Sequence, residues 1–223
     1  MPHTVIEVSR STLKRLPLYL HVLEDLHRQK QEYISCTALA LKFDFGSIQV
    51  RKDLEVTGAE GTAKIGFRIS DLIRNIKTFL GWHNVQDAFL VGAGNLGKAL
   101  LGYRDFDSYG LNIVAVFDKD PEKIGTKIFD KEVMPVEKMP GLAARMHVNI
   151  GIVAVSAIAA QEVVNVMVTS GIRAVWNFAP APLEIPQGII LENARLTQSL
   201  AVLSNKLKCL LEEETKESVP CPM

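Results

Sequence analysis

Cysteine is scarce in this chain and poorly placed for structural bonds. Cys36, Cys209 and Cys221 are spread over 223 residues. An odd, widely spaced set with no C-x-x-C pair argues against a disulfide framework and for reduced thiols. None of the five histidines stands at metal-ligand spacing, so no metal site is expected. Long apolar runs are also missing. The longest, such as Ile150 to Ala160, fall well short of the roughly 20 residues that span a bilayer, and that one contains a serine, so no membrane partner is expected. Met1 to Arg10 holds no apolar signal core, which argues against secretion and for a cytoplasmic protein. There is no internal repeat, no low-complexity segment and no excess of either charge, with 25 Lys+Arg against 25 Asp+Glu.

What is present is an ordinary globular composition, 48% hydrophobic and 22% charged, which excludes general disorder. The charge is unevenly spread. Residues 1–84 carry 12 basic against 9 acidic side chains and four of the five histidines, whereas residues 85–223 carry 13 against 16. The N-terminal part is therefore suited to an anionic partner without requiring one.

Periodicity divides the chain near Gly81 to Gln86. Before it, Leu16, Leu20, Leu23 and Leu26 mark one face of a helix over Leu13 to His27. Ser35 reads as an N-cap for a short helix, Cys36 to Lys42, and Gly46 breaks the chain before another, Ser47 to Leu54. Glycines 58, 61 and 66 punctuate a β-prone stretch that suggests a hairpin. Ser70 reads as the cap of a fourth helix with Leu72, Ile73, Ile76 and Leu80 on its apolar side, closed by Gly81. Cys36, among apolar residues, reads as a small core side chain. After the boundary, strands and helices alternate: strands at Ala88 to Val91, Asn112 to Phe117, Ile150 to Val155, Ala174 to Asn177 and Ile189 to Leu191, helices at Asn95 to Tyr103 and Ala160 to Ser170. That alternation predicts an α/β fold with a doubly wound parallel sheet. A last helix, Asn193 to Leu211, spaces Leu196, Leu200, Leu203, Leu207 and Leu210 as a seam that needs a partner surface, with Glu212 to Glu214 disfavoured by the helix dipole and expected to fray. The expected domains are 1–84, 85–192, a C-terminal helix over 193–214, and a disordered tail over 215–223.

Gly92-Ala93-Gly94-Asn95-Leu96-Gly97 follows one strand and opens a helix. The first glycine permits the tight turn, the second lets backbone approach a pyrophosphate, and the third lets the helix pack on the sheet. The helix N-terminus offers N–H groups to phosphate. Asp118, 21 residues after Gly97 at the end of the next strand, stands where a ribose diol would lie. A carboxylate there favours NAD(H) over NADP(H), with Lys119 and Lys123 softening its repulsion of a 2′-phosphate. No catalytic set accompanies the site. His147 is the sole histidine after the boundary, and neither Tyr103 nor Tyr109 has a lysine four residues on. Nucleotide binding without chemistry points to sensing.

In the N-terminal unit, Ser47 to Leu54 follows a short helix and a glycine turn, the layout of a helix-turn-helix. Gln49, Arg51 and Lys52 are placed to reach bases and phosphates, while Ile48, Val50 and Leu54 are expected to pack inward.

Together the halves resemble the Rex family of redox-sensing repressors. The resemblance rests on Leu16-Pro17-Leu18-Tyr19, Gln49-Val50-Arg51-Lys52-Asp53-Leu54, Val91 to Leu101, Phe117 to Lys123 and Asn177-Phe178-Ala179-Pro180. It implies a winged-helix domain, a Rossmann domain and a domain-swapped C-terminal helix in a homodimer, which makes 193–214 the dimerisation helix. It also implies binding of palindromic double-stranded DNA that NADH releases. Ser47, Gln49, Arg51, Lys52 and Lys64 are then the DNA-contacting candidates. Gly92 to Gly97, Asp118 and Lys119 hold the cofactor, and Tyr103 and Phe178 belong to the same set, Tyr103 near the nicotinamide as part of the switch. Four positions depart from the family pattern, one of them Leu196, where an aromatic side chain is usual. Ala63 stands where the wing has an arginine, and His21 and Arg195 stand where an arginine–aspartate pair is usual. Those departures motivate a second reading, an NAD(H)-binding relative that acts through a protein partner. A third is an NAD-dependent oxidoreductase or an acyl-CoA ligase module, which shares this type of sheet.

Overall fold

The computed structural model describes residues 8–217, so Cys221 and residues 218–223 of the expected tail lie outside the described residues. The chain forms two compact units. The first runs to Val85 and takes back Asp105–Leu111; the second holds Gln86–Arg104 and the rest.

The first unit is built on α1 (Arg10–Arg28), capped by Ser9, whose hydroxyl accepts from the Thr12 N–H at 3.1 Å. Its inward face carries Leu16, Tyr19, Leu20, Leu23 and Leu26. Burying each such leucine is worth about 1.5–3 kcal/mol, so this face anchors the unit. After β1 (Tyr33–Ile34), α2 (Cys36–Leu41) starts at Ser35, which caps the Ala38 N–H at 3.1 Å. A glycine turn leads into α3 (Ser47–Glu55), then β2 (Phe67–Arg68) and α4 (Ile69–Phe79). The edge of the Tyr19 ring packs on Phe43 and Phe45, with centroids 5.6 and 6.2 Å away. In the returning segment, Tyr109 tilts over Trp82 at 4.9 Å.

Three expectations for this unit need correcting. Ile48 points out, 72% exposed, because the buried side of α3 is set by Val50, Asp53 and Leu54 at three- and four-residue spacing, which leaves position 48 on the opposite side. Ser70 is not a cap: it lies inside α4, whose N-cap is Arg68, two residues earlier, with no side-chain bond there. The glycine-rich stretch forms only a single bridge, Thr62 with Gly66, and β2 pairs antiparallel with β1 instead of within its own hairpin.

The second unit is a seven-stranded sheet: β3 (Gln86–Val91), β4 (Leu111–Asp118), β5 (Lys127–Ile128), β6 (Lys131–Pro135), β7 (Ile150–Val153), β8 (Ala174–Asn177) and β9 (Ile190–Asn193). Their spatial order is β5-β6-β4-β3-β7-β8-β9. Pairs β3–β7, β7–β8, β8–β9 and β4–β6 are parallel and β5–β6 is antiparallel. The helices are α5 (Asn95–Leu101), α6 (Met139–Met146), α7 (Ala157–Thr169) and α8 (Leu196–Glu217). Strand order reverses at β3, and the crevice beyond the carboxyl end of such a strand is where doubly wound sheets bind ligands. The short elements β5, β6 and α6 are absent from the sequence reading, since two to eight residues give too little periodicity.

The last helix starts later and ends later than expected. Asn193 belongs to β9, and α8 runs on through Glu212 to Glu217, three residues into the expected tail. A Lys208–Glu212 pair, one turn apart at 3.7 Å, supports the helix where its dipole disfavours acids. Leu200, Leu203, Leu207 and Leu210 on it are all exposed.

Candidate functional sites

The glycine turn after β3 opens a cleft of about 720 Å³ lined by Gly92, Gly94, Asp118, Lys119, Lys123 and Ser156 among others. The three glycines serve different needs. Gly92 has φ +109°, and a Cβ there would lie 2.4 Å from the Ala154 carbonyl oxygen. A Cβ on Gly97 would lie 1.8 Å from the Gly92 carbonyl oxygen, so the helix can approach only without a side chain. A Cβ on Gly94 would meet no protein atom within 4 Å. Its bare backbone is therefore not required by packing. It leaves room in the cleft for a group that comes close to the turn, as a pyrophosphate does.

Asp118 closes the other side. It is 7% exposed, and its Oδ2 accepts from the Ala93 N–H at 2.8 Å while Oδ1 accepts from the Asp120 N–H at 3.0 Å. The Lys123 ammonium lies 3.3 Å from Asp118 Oδ2 and 3.3 Å from Asp120 Oδ2. Burial alone would raise the Asp118 carboxyl, but the two backbone N–H groups and Lys123 outweigh it and hold it below the usual carboxylate range. Lys123 loses some solvation, yet its two acids raise its own value. The result is an ionised, oriented acceptor with lone pairs left for a sugar diol.

The structure thus brings Gly92, Gly94, Asp118 and Lys119 onto one cleft, with Ala93 tied to Asp118 and Gly97 beneath the turn. Asn95 and Leu96 sit on the exposed first turn of α5. Tyr103, half-exposed after α5, and Phe178, in the loop after β8 with its ring 4.7 Å from Trp176, are not among the lining residues. Asn177 opens the N-F-A-P string. It is buried, gives its Nδ2 to the Asn193 side chain at 2.8 Å, and accepts from the Ala179 N–H at 2.9 Å, which fixes the N-F-A-P loop.

On α3, Arg51 and Lys52 are exposed, and Arg51 pairs with Glu55 at 2.9 Å. Ser47, at the first turn, is half-buried. Lys64 stands at φ +67° in the turn closed by the Thr62–Gly66 bridge, its side chain exposed. Beneath α3 lies a group that sequence reasoning missed. Asp53 is 1% exposed, and its Oδ2 accepts from Arg15 Nε at 2.6 Å and Tyr19 Oη at 2.8 Å. Its Oδ1 accepts from Arg15 Nη2 at 2.8 Å, Thr12 Oγ1 at 3.0 Å and Gln49 Nε2 at 3.0 Å. Burial opposes ionisation here, but the four partners prevail and the carboxyl sits below its ordinary range. The Tyr19 hydroxyl is pushed well up, by burial first and then by Asp53. The signal was available in the sequence, an acid in register with Val50 and Leu54 on the inward face. His21 faces Asp25 on its own helix, 3.8 Å away, and Arg195 is exposed. Cys36 is half-buried, and burial raises its thiol. Among the described residues there is no cluster able to hold a metal ion and no helix long and apolar enough to cross a membrane.

Known proteins share both halves. Residues 83–181 match the CoA binding domain family, and residues 7–55 match a family described as a DNA-binding protein N-terminus. The chain is 43% identical over 202 residues to the redox-sensing transcriptional repressor Rex of Pelotomaculum thermopropionicum, covering 91% of this chain and 95% of that one. It is 39% identical over 192 residues to the Rex repressor of Treponema denticola, covering 86% and 91%. Among solved structures, the Rex-family repressor RSP in complex with β-NAD+ and operator DNA matches with a TM-score of 0.85 at 35% identity, covering 95% of this chain and 99% of that one. RSP in complex with β-NADH matches with a TM-score of 0.84 at 35% identity, covering 95% and 98%.

Proposed function

Because the chain belongs to the Rex family of redox-sensing transcriptional repressors, we propose that it is a cytoplasmic, homodimeric repressor whose hold on operator DNA is set by the NADH/NAD+ ratio. It is a regulator and not an enzyme, and its cofactor is NAD(H). The observation that carries the reading is the match to RSP across both units. That protein has been seen with NAD+ on operator DNA and with NADH, and its alignment spans 95% of this chain.

In this reading the open backbone at Gly94 receives the pyrophosphate, and Asp118 accepts from the adenine ribose hydroxyls. Helix α3 enters the major groove with Ser47, Gln49, Arg51 and Lys52, and Lys64 follows the backbone or the minor groove beside it. The leucines of α8 pair with a second copy, in the domain-swapped arrangement the family resemblance implies. Two copies place two α3 helices about one turn of DNA apart, which suits a palindrome.

The test is fluorescence anisotropy of a labelled palindromic A·T-rich duplex, titrated with protein and then with NADH or NAD+. Nanomolar binding that NADH releases at low excess, with NAD+ far weaker, supports the reading. A protein that binds NADH but no duplex overturns it. That outcome favours action through a protein partner, the reading that Ala63 and the His21 and Arg195 positions suggest.

A further inference from the structure

Asp53 does more than join two helices. It accepts from Gln49 Nε2 at 3.0 Å, one turn along the same helix, while four other hydrogen bonds from Thr12, Arg15 and Tyr19 hold it in place. An ionised carboxylate has no proton to give, so only the NH₂ side of the Gln49 amide can face it. The carbonyl Oε1 and the second N–H are then left for the outside, on an exposed residue of α3.

We propose that Asp53 is a positioning residue that fixes the sense of the Gln49 amide, so that α3 presents one acceptor and one donor in the pattern that matches adenine. Adenine shows an N7 acceptor and an N6 amino donor in the major groove, and a glutamine amide can meet both at once. Guanine shows two acceptors there, N7 and O6, so the outward Oε1 would face O6. A freely turning amide could rotate its NH₂ group toward guanine; a pinned one cannot. The lock thus makes Gln49 selective, and the buried network of Arg15, Tyr19 and Thr12 keeps the lock rigid. This inference rests on the repressor reading, because it assigns a base preference to the DNA surface described there.

The experiment uses the full chain, as wild type, Gln49→Ala and Asp53→Asn. Each variant selects from one random-sequence duplex library, and the retained DNA is sequenced. Wild type should retain adenine at one position in each half-site. Gln49→Ala should lose the preference at that position alone. Asp53→Asn can give or accept a hydrogen bond, so it should admit guanine there and leave other positions unchanged. Placing 7-deazaadenine at that site removes N7 and should weaken wild type about tenfold, one part of a bidentate contact worth about 1–3 kcal/mol, with no effect on Gln49→Ala. Gln49→Ala removes an exposed side chain, so the deaza comparison tests the Gln49–adenine contact by itself, and Asp53→Asn is selected below its melting temperature to test the lock. The proposal is overturned if Gln49→Ala keeps every preference, or if Asp53→Asn, assayed below its melting temperature, keeps the adenine preference of wild type and still rejects guanine. A wild-type protein that enriches no sequence removes the DNA reading itself and this proposal with it, and is recognised by unchanged NADH binding.

Discussion

The Ala93 N–H donates to Oδ2 of Asp118 at 2.8 Å, tying the phosphate-binding turn to the end of the neighbouring strand across 25 residues of chain. The residue that is to receive the ribose therefore also holds the turn that is to receive the pyrophosphate. Asp118→Asn turns one of the two acceptor oxygens into an NH₂ donor and removes the charge. Hydrogen bonds to charged groups are worth about 1.5–3 kcal/mol, so NADH affinity should fall about tenfold to a hundredfold by calorimetry. NADPH should bind wild type more weakly than NADH, since Asp118 repels a 2′-phosphate and Lys123 is already shared between Asp118 and Asp120. Equal affinities for the two cofactors would refute the assignment.

The glycines separate folding from binding. Gly97→Ala puts a Cβ 1.8 Å from backbone, so the turn must shift and the melting temperature should drop by several degrees. Gly94→Ala meets no protein atom within 4 Å, so its melting temperature should stay close to wild type while NADH binding is largely lost. Retained NADH binding in Gly94→Ala would remove the pyrophosphate from that part of the cleft.

These distinctions show how far the sequence reads. The turn, Asp118 and the helix-turn-helix were legible because each imposes a local rule: glycine where Cβ cannot fit, an acid at a strand end, a break between two short helices. Ile48 falls on the wrong side because a nine-residue helix offers only about two and a half turns, and its inward side is decided by what α1 presents to it. The inward register of Asp53 with Val50 and Leu54 is visible in the sequence, but its partners Thr12, Arg15 and Tyr19 lie 34 to 41 residues earlier, and only folding brings them together. The strands β5 and β6 are set by pairing in the sheet, which no short window contains.

Acid should expose the buried network. Asp53 and Asp118 both have folded values below their ordinary ones, so each adds stability above the unfolded carboxylate value and loses it as pH falls through the lower folded one. Melting temperature should be flat through neutral pH and fall below about pH 4, near the unfolded Asp value of about 3.9. Asp53→Asn should lie below wild type at pH 7, and the gap should narrow on acidification. A gap that stays constant down to pH 2 would show that the ionised form of Asp53 contributes nothing.

Among the described residues Arg51 pairs with exposed Glu55, and such surface pairs contribute about 0–1 kcal/mol. Arg51→Ala should therefore fold and bind NADH as wild type does, yet lose operator binding by a factor that shrinks as salt is raised. Each lost phosphate contact lowers the slope of log affinity against log salt by about one. Joint loss of NADH and DNA binding would instead mean misfolding.

The leucines of α8 form an exposed apolar stripe. Leu200, Leu203, Leu207 and Leu210 are between 51% and 64% exposed at four- and three-residue spacing, a seam that a second helix or a subunit face would cover. Leu203→Asp with Leu207→Asp charges its centre without touching the sheet or the glycine turn. Sedimentation should show wild type as a dimer and the double variant as a monomer that still binds NADH. Its affinity for a palindrome should drop toward that for one half-site, because the second α3 helix is no longer carried at high effective concentration. A double variant that stays dimeric would place the subunit contact elsewhere, and α8 would then have to be covered by another partner.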